Sequence, residues 1–262
     1  RDSLIISSLL TQQNAQLQLN TVCALAAYQG KAFDSASEEE PGRIAHEVRE
    51  VGDPQAARIE AESGWKFPYY GSVDATLLWL IALDELAQRD PSILERQIAE
   101  QSLSQRAELA ATWVLNRLQS GDGYVRSTRA NARGILNQVW KDSGDSYLTS
   151  DGKVATESGT VSVETVSQTF DALLAASRLS QLSSHRWAHT PTDLIAAAEQ
   201  EVDATPMEGF NPAAVDEILG LTARGLRSTV LLPLGYREAD KDWLVNMKKV
   251  RRTNENFITE VK

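Results

Sequence analysis

Helical apolar periods alternate with long polar stretches, and this alternation constrains the fold more than any other feature of the sequence. Apolar side chains recur at helical spacing over residues 14–29, 73–88, 92–118 and 163–182. The polar stretches between them, residues 31–73 and 120–162, are longer than the connections of most compact domains, unless such loops are functional. We therefore expect helical hairpins with functional loops as far as about residue 182.

The pattern changes after residue 182. The segment "FNPAAVDEILGL" predicts a short helix with Asn211 as N-cap, Pro212 in the first turn and Gly220 as the stop. The segment "STVLLPLGY", residues 228–236, is apolar and β-branched and predicts a strand. The chain is thus expected to be mainly α, with a small α+β part at its C-terminal end. The predicted division is a domain at residues 1–182, a junction at 183–195 and a second part at 196–262.

Charge and residue usage exclude several classes of function. The formal net charge of −10 and the pI near 4.9 argue against a nucleic-acid partner, which needs a basic surface. Cys23 is the single cysteine, and no HExxH motif is present, so we expect no metal site. No signal peptide or apolar run long enough for a bilayer is present, so we expect no membrane partner and a cytoplasmic protein.

Three polar loops share the residue types that bind sugars. They are "EPGRIAHEVRE", "SGWKFPYYGSVDAT" and "NQVWKDSGDS". Carboxylates form charge-assisted hydrogen bonds with hydroxyl groups, and aromatic faces pack on the apolar face of a pyranose ring. Each residue also has a plain structural explanation, because loop acids are usually solvated and loop aromatics often cover helix ends. Taken together, the three loops predict a sugar-binding site.

These motifs, with "RDSL" before them, resemble in order the glucosidase domain of glycogen-debranching-type enzymes, which are six-hairpin glycosidases. The resemblance implies an (α/α)₆ barrel and an inverting glycoside hydrolase that acts on α-linked glucosides of an oligosaccharide or α-glucan. It implies that Asp142 is the general acid. The residues that would line the sugar pocket are Arg1, Asp2, His46, Glu47, Tyr70, Asp74, Trp140, Lys141 and Asp145.

The length of this part predicts an incomplete barrel. Twelve helices of ordinary length with short connections need roughly 190 residues, and residues 1–182 spend much of their length on loops. The family's general base comes from the other half, and no residue here takes its role. Half a closed ring would expose an apolar flank, so we expect self-association through that surface.

A second constellation lies near the C-terminal end. A turn in "DATPMEGF" presents backbone N–H groups, and "KKVRR" at residues 248–252 clusters four cations that suit an anion such as phosphate. A solvated cationic patch is the plain alternative. The two segments together resemble the C-terminal end of oxygen-insensitive NAD(P)H nitroreductases, which are homodimeric FMN enzymes of an α+β fold. The resemblance implies FMN and NAD(P)H as cofactors. It places Pro206, Met207, Glu208 and Gly209 against the isoalloxazine and Lys249 and Arg251 at the phosphate.

The sequence therefore leaves three hypotheses. The favoured one is a debranching-type glycoside hydrolase that is incomplete in this chain. The second is an FMN-dependent nitroreductase, represented by the C-terminal part. The third is a hybrid or fusion of the two with neither activity, in which each part keeps local structure without a complete site.

Overall fold

A computed structural model of the chain describes residues 1–149, 152–155, 159–201, 203–204, 211–218, 220, 222–224, 228 and 234–235. It divides into two compact units, residues 1–202 and residues 203–262. The division predicted at residues 183–195 concerns the ancestry of the two parts, and it stays a prediction.

The first unit is helical. Its elements are α1 (Asp2–Leu9), α2 (Ala15–Ala27), α3 (Pro54–Ser63), α4 (Asp74–Ala87), a 3₁₀ helix (Pro91–Glu95), β1 (Gln97–Ile98), β2 (Gln101–Ser102), α5 (Leu103–Gln119), α6 (Val163–Leu182) and α7 (Pro191–Glu201). Helix α4 is the centre of the core, since it packs against α1, α2, α5 and α6. Trp79 of α4 is fully buried and donates its indole N–H to the carbonyl of Val22 in α2, at 3.0 Å. The prediction of a mainly α chain is confirmed.

Local signals explain where several helices begin. The side chain of Asn14 accepts from the Leu17 N–H and caps α2, and that of Ser162 accepts from the Thr165 N–H and caps α6. The ends of α4 and α6 agree with the predicted periods to within one residue. These elements form where apolar period and capping residue agree.

One predicted helix is wrong in its first half. The stretch 92–118 was expected to be a single helix, but it contains a 3₁₀ turn, the antiparallel β1–β2 hairpin and only then α5. Asp90 and Pro91 begin the short turn, whereas Ser102 and Gln105 form a capping box that starts a new helix. The capping box therefore sets where α5 begins, even though the residues before it have a helical apolar period. The polar stretch 31–73 likewise contains α3, which begins at Pro54 after the cap Asp53.

Apolar side chains of α1 lie at the surface of the first unit. Ile6 and Leu9 are 54% and 76% exposed, although Leu4 of the same helix is buried. The barrel and self-association both stay predictions, since packed helices with one exposed flank do not identify a barrel. No helix in the described part of the chain combines the length and the apolar character needed to cross a bilayer.

The second unit contains β3 (Asp203–Ala204), α8 (Pro212–Ile218), a 3₁₀ turn (Thr222–Arg224) and β4 (Leu234–Gly235). The side chain of Asn211 accepts from the Ala214 N–H, and Gly220 has a φ of 62°, so the predicted helix and its stop are confirmed. Strands β3 and β4 pair antiparallel. The strand predicted at 228–236 is described only in part. Ser228 is not in a strand, whereas β4 lies within the predicted range.

Candidate functional site

Buried amides hold the loop at residues 137–146, which we call the 137–146 loop. Gln138 is fully buried: its backbone N–H donates to the hydroxyl of Ser127 at 2.6 Å, and its carbonyl accepts from the Val73 N–H at 2.7 Å. The Gln138 side-chain oxygen accepts from the Arg43 guanidinium at 2.7 Å. The loop is therefore tied to the N-terminal end of α4 and to the polar stretch that follows α2.

Arg43 is the structural centre of these loops. It is fully buried, and its guanidinium donates to the Glu38 carbonyl at 2.9 Å and to the Glu40 carboxylate at 2.9 Å in addition to Gln138. It also lies over the Trp113 ring, 5.5 Å from the centroid. Burial lowers the pKa of Arg43 to about 10, and the Glu40 carboxylate acts in the opposite direction. The cation therefore stays charged near neutral pH.

Four of the predicted sugar-pocket residues and the predicted general acid interact in one cluster, which we call the Arg1 cluster: Arg1, Asp2, His46, Asp74 and Asp142. Arg1 donates to the Val139 carbonyl at 3.0 Å and to the Asp142 carboxylate at 3.4 Å, and it pairs with Asp2 at 2.8 Å. The Asp74 and Asp142 charges also act on Arg1, and the charges of Arg1 and Asp142 act on His46. The structure thus brings the predicted general acid close to a cation.

Asp74 stands at the first residue of α4 and is 1% exposed. One carboxylate oxygen accepts from the Ser72 hydroxyl, whereas Oδ2 is buried and has no partner in the part of the chain that the structure describes. Burial raises the pKa of Asp74, and the Ser72 hydrogen bond opposes that shift. The unused oxygen is an acceptor, or a donor when protonated, that a ligand hydroxyl could satisfy.

His46 is held neutral by its surroundings. Burial, together with the nearby Arg1 cation, lowers the pKa of His46 to about 4. The backbone N–H of His46 donates to the Tyr69 carbonyl at 2.8 Å, and within the described residues its ring Nδ1 has no partner. A neutral imidazole with a free nitrogen can exchange hydrogen bonds with a polar ligand near pH 7.

A second group lies on the outer side of the 137–146 loop. Trp140 is 48% exposed, and the Lys141 ammonium lies 5.0 Å from the centroid of its ring. Lys141 pairs with Glu164, at the start of α6, at 3.3 Å. Burial opposes ionisation of Glu164, but hydrogen bonds from its own backbone and from Lys141 lower its pKa overall. Sequence reasoning missed Glu164, although its place in the first turn of a helix that follows a polar loop was a usable signal.

Three predicted pocket residues have other contacts. The Tyr70 hydroxyl donates to the Tyr28 carbonyl at 2.7 Å, and Glu47 pairs with Arg49. Asp145 is exposed at the tip of the 137–146 loop. No described contact joins these three to the Arg1 cluster, so their place in a pocket stays a prediction.

The described residues of the second unit show only the surroundings of the predicted flavin site. Asp203 pairs with Gly235 and Ala204 with Leu234. Asp216 of α8 accepts from the backbone N–H and the hydroxyl of Ser228, both at 2.7 Å. The residues assigned to FMN by resemblance all lie outside the described residues: Pro206, Met207, Glu208, Gly209, Lys249 and Arg251.

No protein-family model matches the chain. Two curated proteins are similar to part of it, and both are named oxygen-insensitive NAD(P)H nitroreductase. The one from Salmonella typhimurium (strain LT2) is 30% identical over 90 residues, which are 32% of this chain and 41% of that protein. The one from Enterobacter cloacae is 33% identical over 67 residues, which are 26% of this chain and 30% of that protein.

The chain thus spans less than half of the length of either relative. The similarity supports the nitroreductase part of the sequence interpretation. Neither relative is a glycoside hydrolase, and the resemblance of residues 1–182 to that family stays a prediction carried by its motifs. Part of this chain is similar to oxygen-insensitive NAD(P)H nitroreductases.

Proposed function

We propose that the C-terminal part of the chain is a portion of an FMN-dependent NAD(P)H nitroreductase, and that oxidoreductase chemistry is the function to test first. The observation that carries this proposal is the similarity to two curated nitroreductases, at 30% and 33% identity. The sequence alone favoured a glycoside hydrolase, and the comparisons reverse that order.

The residues assigned to FMN fit its chemistry. The sequence predicts a turn over Pro206 to Gly209 whose backbone N–H groups would face the ring, and Lys249 and Arg251 would offer cations to the phosphate. When bound, FMN would accept a hydride from NAD(P)H and pass the two electrons on to an oxidised substrate. This chain's residues would hold its phosphate and orient its ring.

We expect the full chain to bind FMN no tighter than roughly millimolar, about −4 kcal/mol. Each exposed phosphate ion pair contributes only about 0–1 kcal/mol, and immobilising the ligand costs more than that. Equilibrium dialysis with FMN measures the affinity. The Lys249→Ala and Arg251→Ala double variant should lose the binding. The matched control is Lys248→Ala with Arg252→Ala, which removes equal charge from the same run and should keep it.

Two results would contradict the assignment. One is equal binding by both double variants, which would mean that only the summed charge attracts FMN. The other is no FMN binding at several millimolar by the unaltered chain. Micromolar binding that depends on Lys249 and Arg251 would strengthen the proposal and would mean that the tail builds a complete site.

A second candidate function is sugar binding by the Arg1 cluster and the 137–146 loop. The observation that favours it is geometric: Arg1 joins Asp142 to that loop, and Asp74 and His46 each keep a polar atom without a partner among the described residues. Polar atoms that are buried without a partner are uncommon in native proteins. The cluster therefore has unused hydrogen-bonding capacity that suits a neutral polyhydroxylated ligand.

In a hydrolase, Asp142 would deliver the proton to the leaving oxygen, while a second carboxyl would activate water. The second carboxyl is the part that sequence reasoning assigns to a missing half of the barrel. We therefore propose α-glucan binding for this chain, with hydrolysis only in a complete barrel.

Electrophoresis in a gel that contains glycogen tests this candidate. We expect the full chain to be retarded and Trp140→Ala to lose the retardation, since an exposed indole supplies stacking area of about 1–3 kcal/mol on burial. Phe33→Ala is the control, because Phe33 is also exposed, at 82%, and belongs to neither set of site residues. Asp142→Asn should still bind, because an amide keeps the shape of the carboxyl.

Unretarded migration of the unaltered chain, or equal loss in the Phe33 and Trp140 variants, would exclude the sugar site. If the FMN experiment fails as well, the third hypothesis remains, a hybrid with neither activity.

A further inference from the structure

A cavity of about 580 Å³ lies beside the first turns of α5, apart from the Arg1 cluster. Its walls include Gln29 and Lys31 after α2, Glu100 in the β1–β2 turn, and Arg106 and Leu109 of α5. The size is in the range of small-molecule sites. The chemistry of its wall is unusual for a cavity with only a structural role.

Among the described residues, Arg106 is a buried cation without a counterion. The residue is 3% exposed, and its guanidinium donates to the Ile98 carbonyl at 2.8 Å. Within the described residues no carboxylate forms an ion pair with it, and Nε is buried without a partner. Burial lowers the pKa of Arg106, because the removal of an unpaired charge from water is unfavourable. Arg43, which is fully buried, has the Glu40 carboxylate beside it.

Gln29 adds an unused acceptor to the same wall. It is 2% exposed, and its amide N–H groups donate to the carbonyls of Gly42 at 3.0 Å and Arg106 at 2.9 Å. These two bonds fix the orientation of the amide, so Oε1 remains as an acceptor that lacks a donor among the described residues. Within the described part of the chain, the lining residues therefore include a positive charge without a counterion and, at Gln29, a buried acceptor without a donor.

The other charged groups described at the cavity do not neutralise the charge of Arg106. Lys31 is exposed at the rim and adds a second cation. The Glu39 carboxylate is bound by the backbone N–H groups of Lys31 and Ala32, at 2.7 and 3.2 Å. Glu100 is exposed to water, which screens its charge. A buried charge in a wall of low dielectric is screened much less, so its field extends into the cavity.

We propose that this cavity binds a small oxyanion that also carries a hydroxyl group, with Arg106 and Lys31 attracting the anionic end and Gln29 Oε1 accepting from the hydroxyl. The oxyanion is a phosphate ester or a carboxylate. This site is separate from the proposed FMN site, because none of its residues belongs to the C-terminal run of cations.

Thermal unfolding of the full chain with matched three-carbon probes tests the site. At about 20 mM, glycerol 3-phosphate or glycerate should raise Tm by about 4–7 °C for a Kd near 1 mM, whereas glycerol should not. The phosphate ester and the carboxylate are separate arms, and the larger shift identifies the oxyanion. Inorganic phosphate should shift Tm less, because it lacks the carbon-bound hydroxyl that Gln29 would hold.

Variants assign the binding to the cavity. Arg106→Met should abolish the shift, and Lys31→Glu, an exposed change that should fold normally, should weaken binding about tenfold. Lys249→Ala with Arg251→Ala should leave the shift unchanged, since those residues belong to the proposed flavin site. Arg106→Met should also unfold no earlier than the unaltered chain without ligand, since it removes an unpaired buried charge.

The proposal is overturned if neither oxyanion shifts Tm, or if Arg106→Met keeps the full shift. A loss of the shift in the Lys249 and Arg251 variant overturns it too, because binding would then lie in the C-terminal run. If Arg106→Met does not fold, the Tm shift of Lys31→Glu is the deciding measurement. Undiminished binding by the Lys31→Glu variant overturns the proposal.

Discussion

Replacement of Arg43 by methionine should lower the free energy of unfolding by about 3–5 kcal/mol. Methionine fills a similar volume but donates nothing, so the Glu38 carbonyl and the buried Gln138 side-chain oxygen both lose their donor. A buried acceptor left without a partner costs about 1–3 kcal/mol. The Glu40 carboxylate keeps its bonds from Trp113 and Arg117, which limits the loss. Urea unfolding followed by circular dichroism measures the change.

Arg58→Met is the matched control. Arg58 is 74% exposed at its side chain and pairs with Glu62 on α3, so its loss should change stability by less than about 0.5 kcal/mol. A destabilisation by Arg43→Met of less than about 1 kcal/mol would contradict the central role of Arg43. Limited proteolysis adds a local readout, since the 137–146 loop should be cleaved faster once Gln138 loses its partner.

The role of Arg43 could not be read from the sequence. It lies in a polar stretch where an arginine is ordinarily solvated, and its partner Gln138 stands 95 positions later. Each residue is unremarkable locally, and only the fold brings them together. By contrast, Asp142 and Trp140 were found from a motif in which their residue types are adjacent, and the structure places Asp142 beside Arg1.

Helices were predictable where one local signal dominated. The apolar period of α6 is continuous, and its observed bounds, Val163–Leu182, are the predicted ones. The region before α5 failed because a helical period continues through residues that a two-residue hairpin uses instead. Ala99 has a φ of 55° in that turn, a conformation usual for glycine, so the sequence carried no turn signal there. The capping box at Ser102 was the available signal for the true start of α5.

Residue types alone do not decide which of the predicted residues line a pocket. Tyr70 is buried with its hydroxyl on the end of α2, where it joins two elements. Glu47 pairs locally with Arg49. An acid or tyrosine in a loop can serve packing as well as binding, and only the position of its partner distinguishes the two.

Stability should fall as the pH is lowered from about 6.5 to about 4, and His46 should account for part of that fall. Its pKa is about 4 in the folded chain because of burial and the nearby Arg1 charge, against 6.5 for an ordinary histidine. Between these values the unfolded chain binds a proton that the folded chain refuses, so protonation favours unfolding. The difference corresponds to at most about 3 kcal/mol. Below pH 4 the contribution is constant.

His46→Gln tests the assignment, because the difference in stability between it and the unaltered chain should change by about 2–3 kcal/mol from pH 7 to pH 4. Asp74→Asn supplies a control of opposite sign. Burial raises the pKa of Asp74, so the folded chain holds that proton to higher pH than the unfolded chain does, and its contribution to stability falls as pH rises above about 3.8. Arg1, Asp2 and Asp142, whose charges act on His46 in the unaltered chain, are present in both proteins. A pH-independent difference for His46→Gln would show that the imidazole titrates in the folded chain as it does in water, and the Arg1 cluster would then be open to solvent.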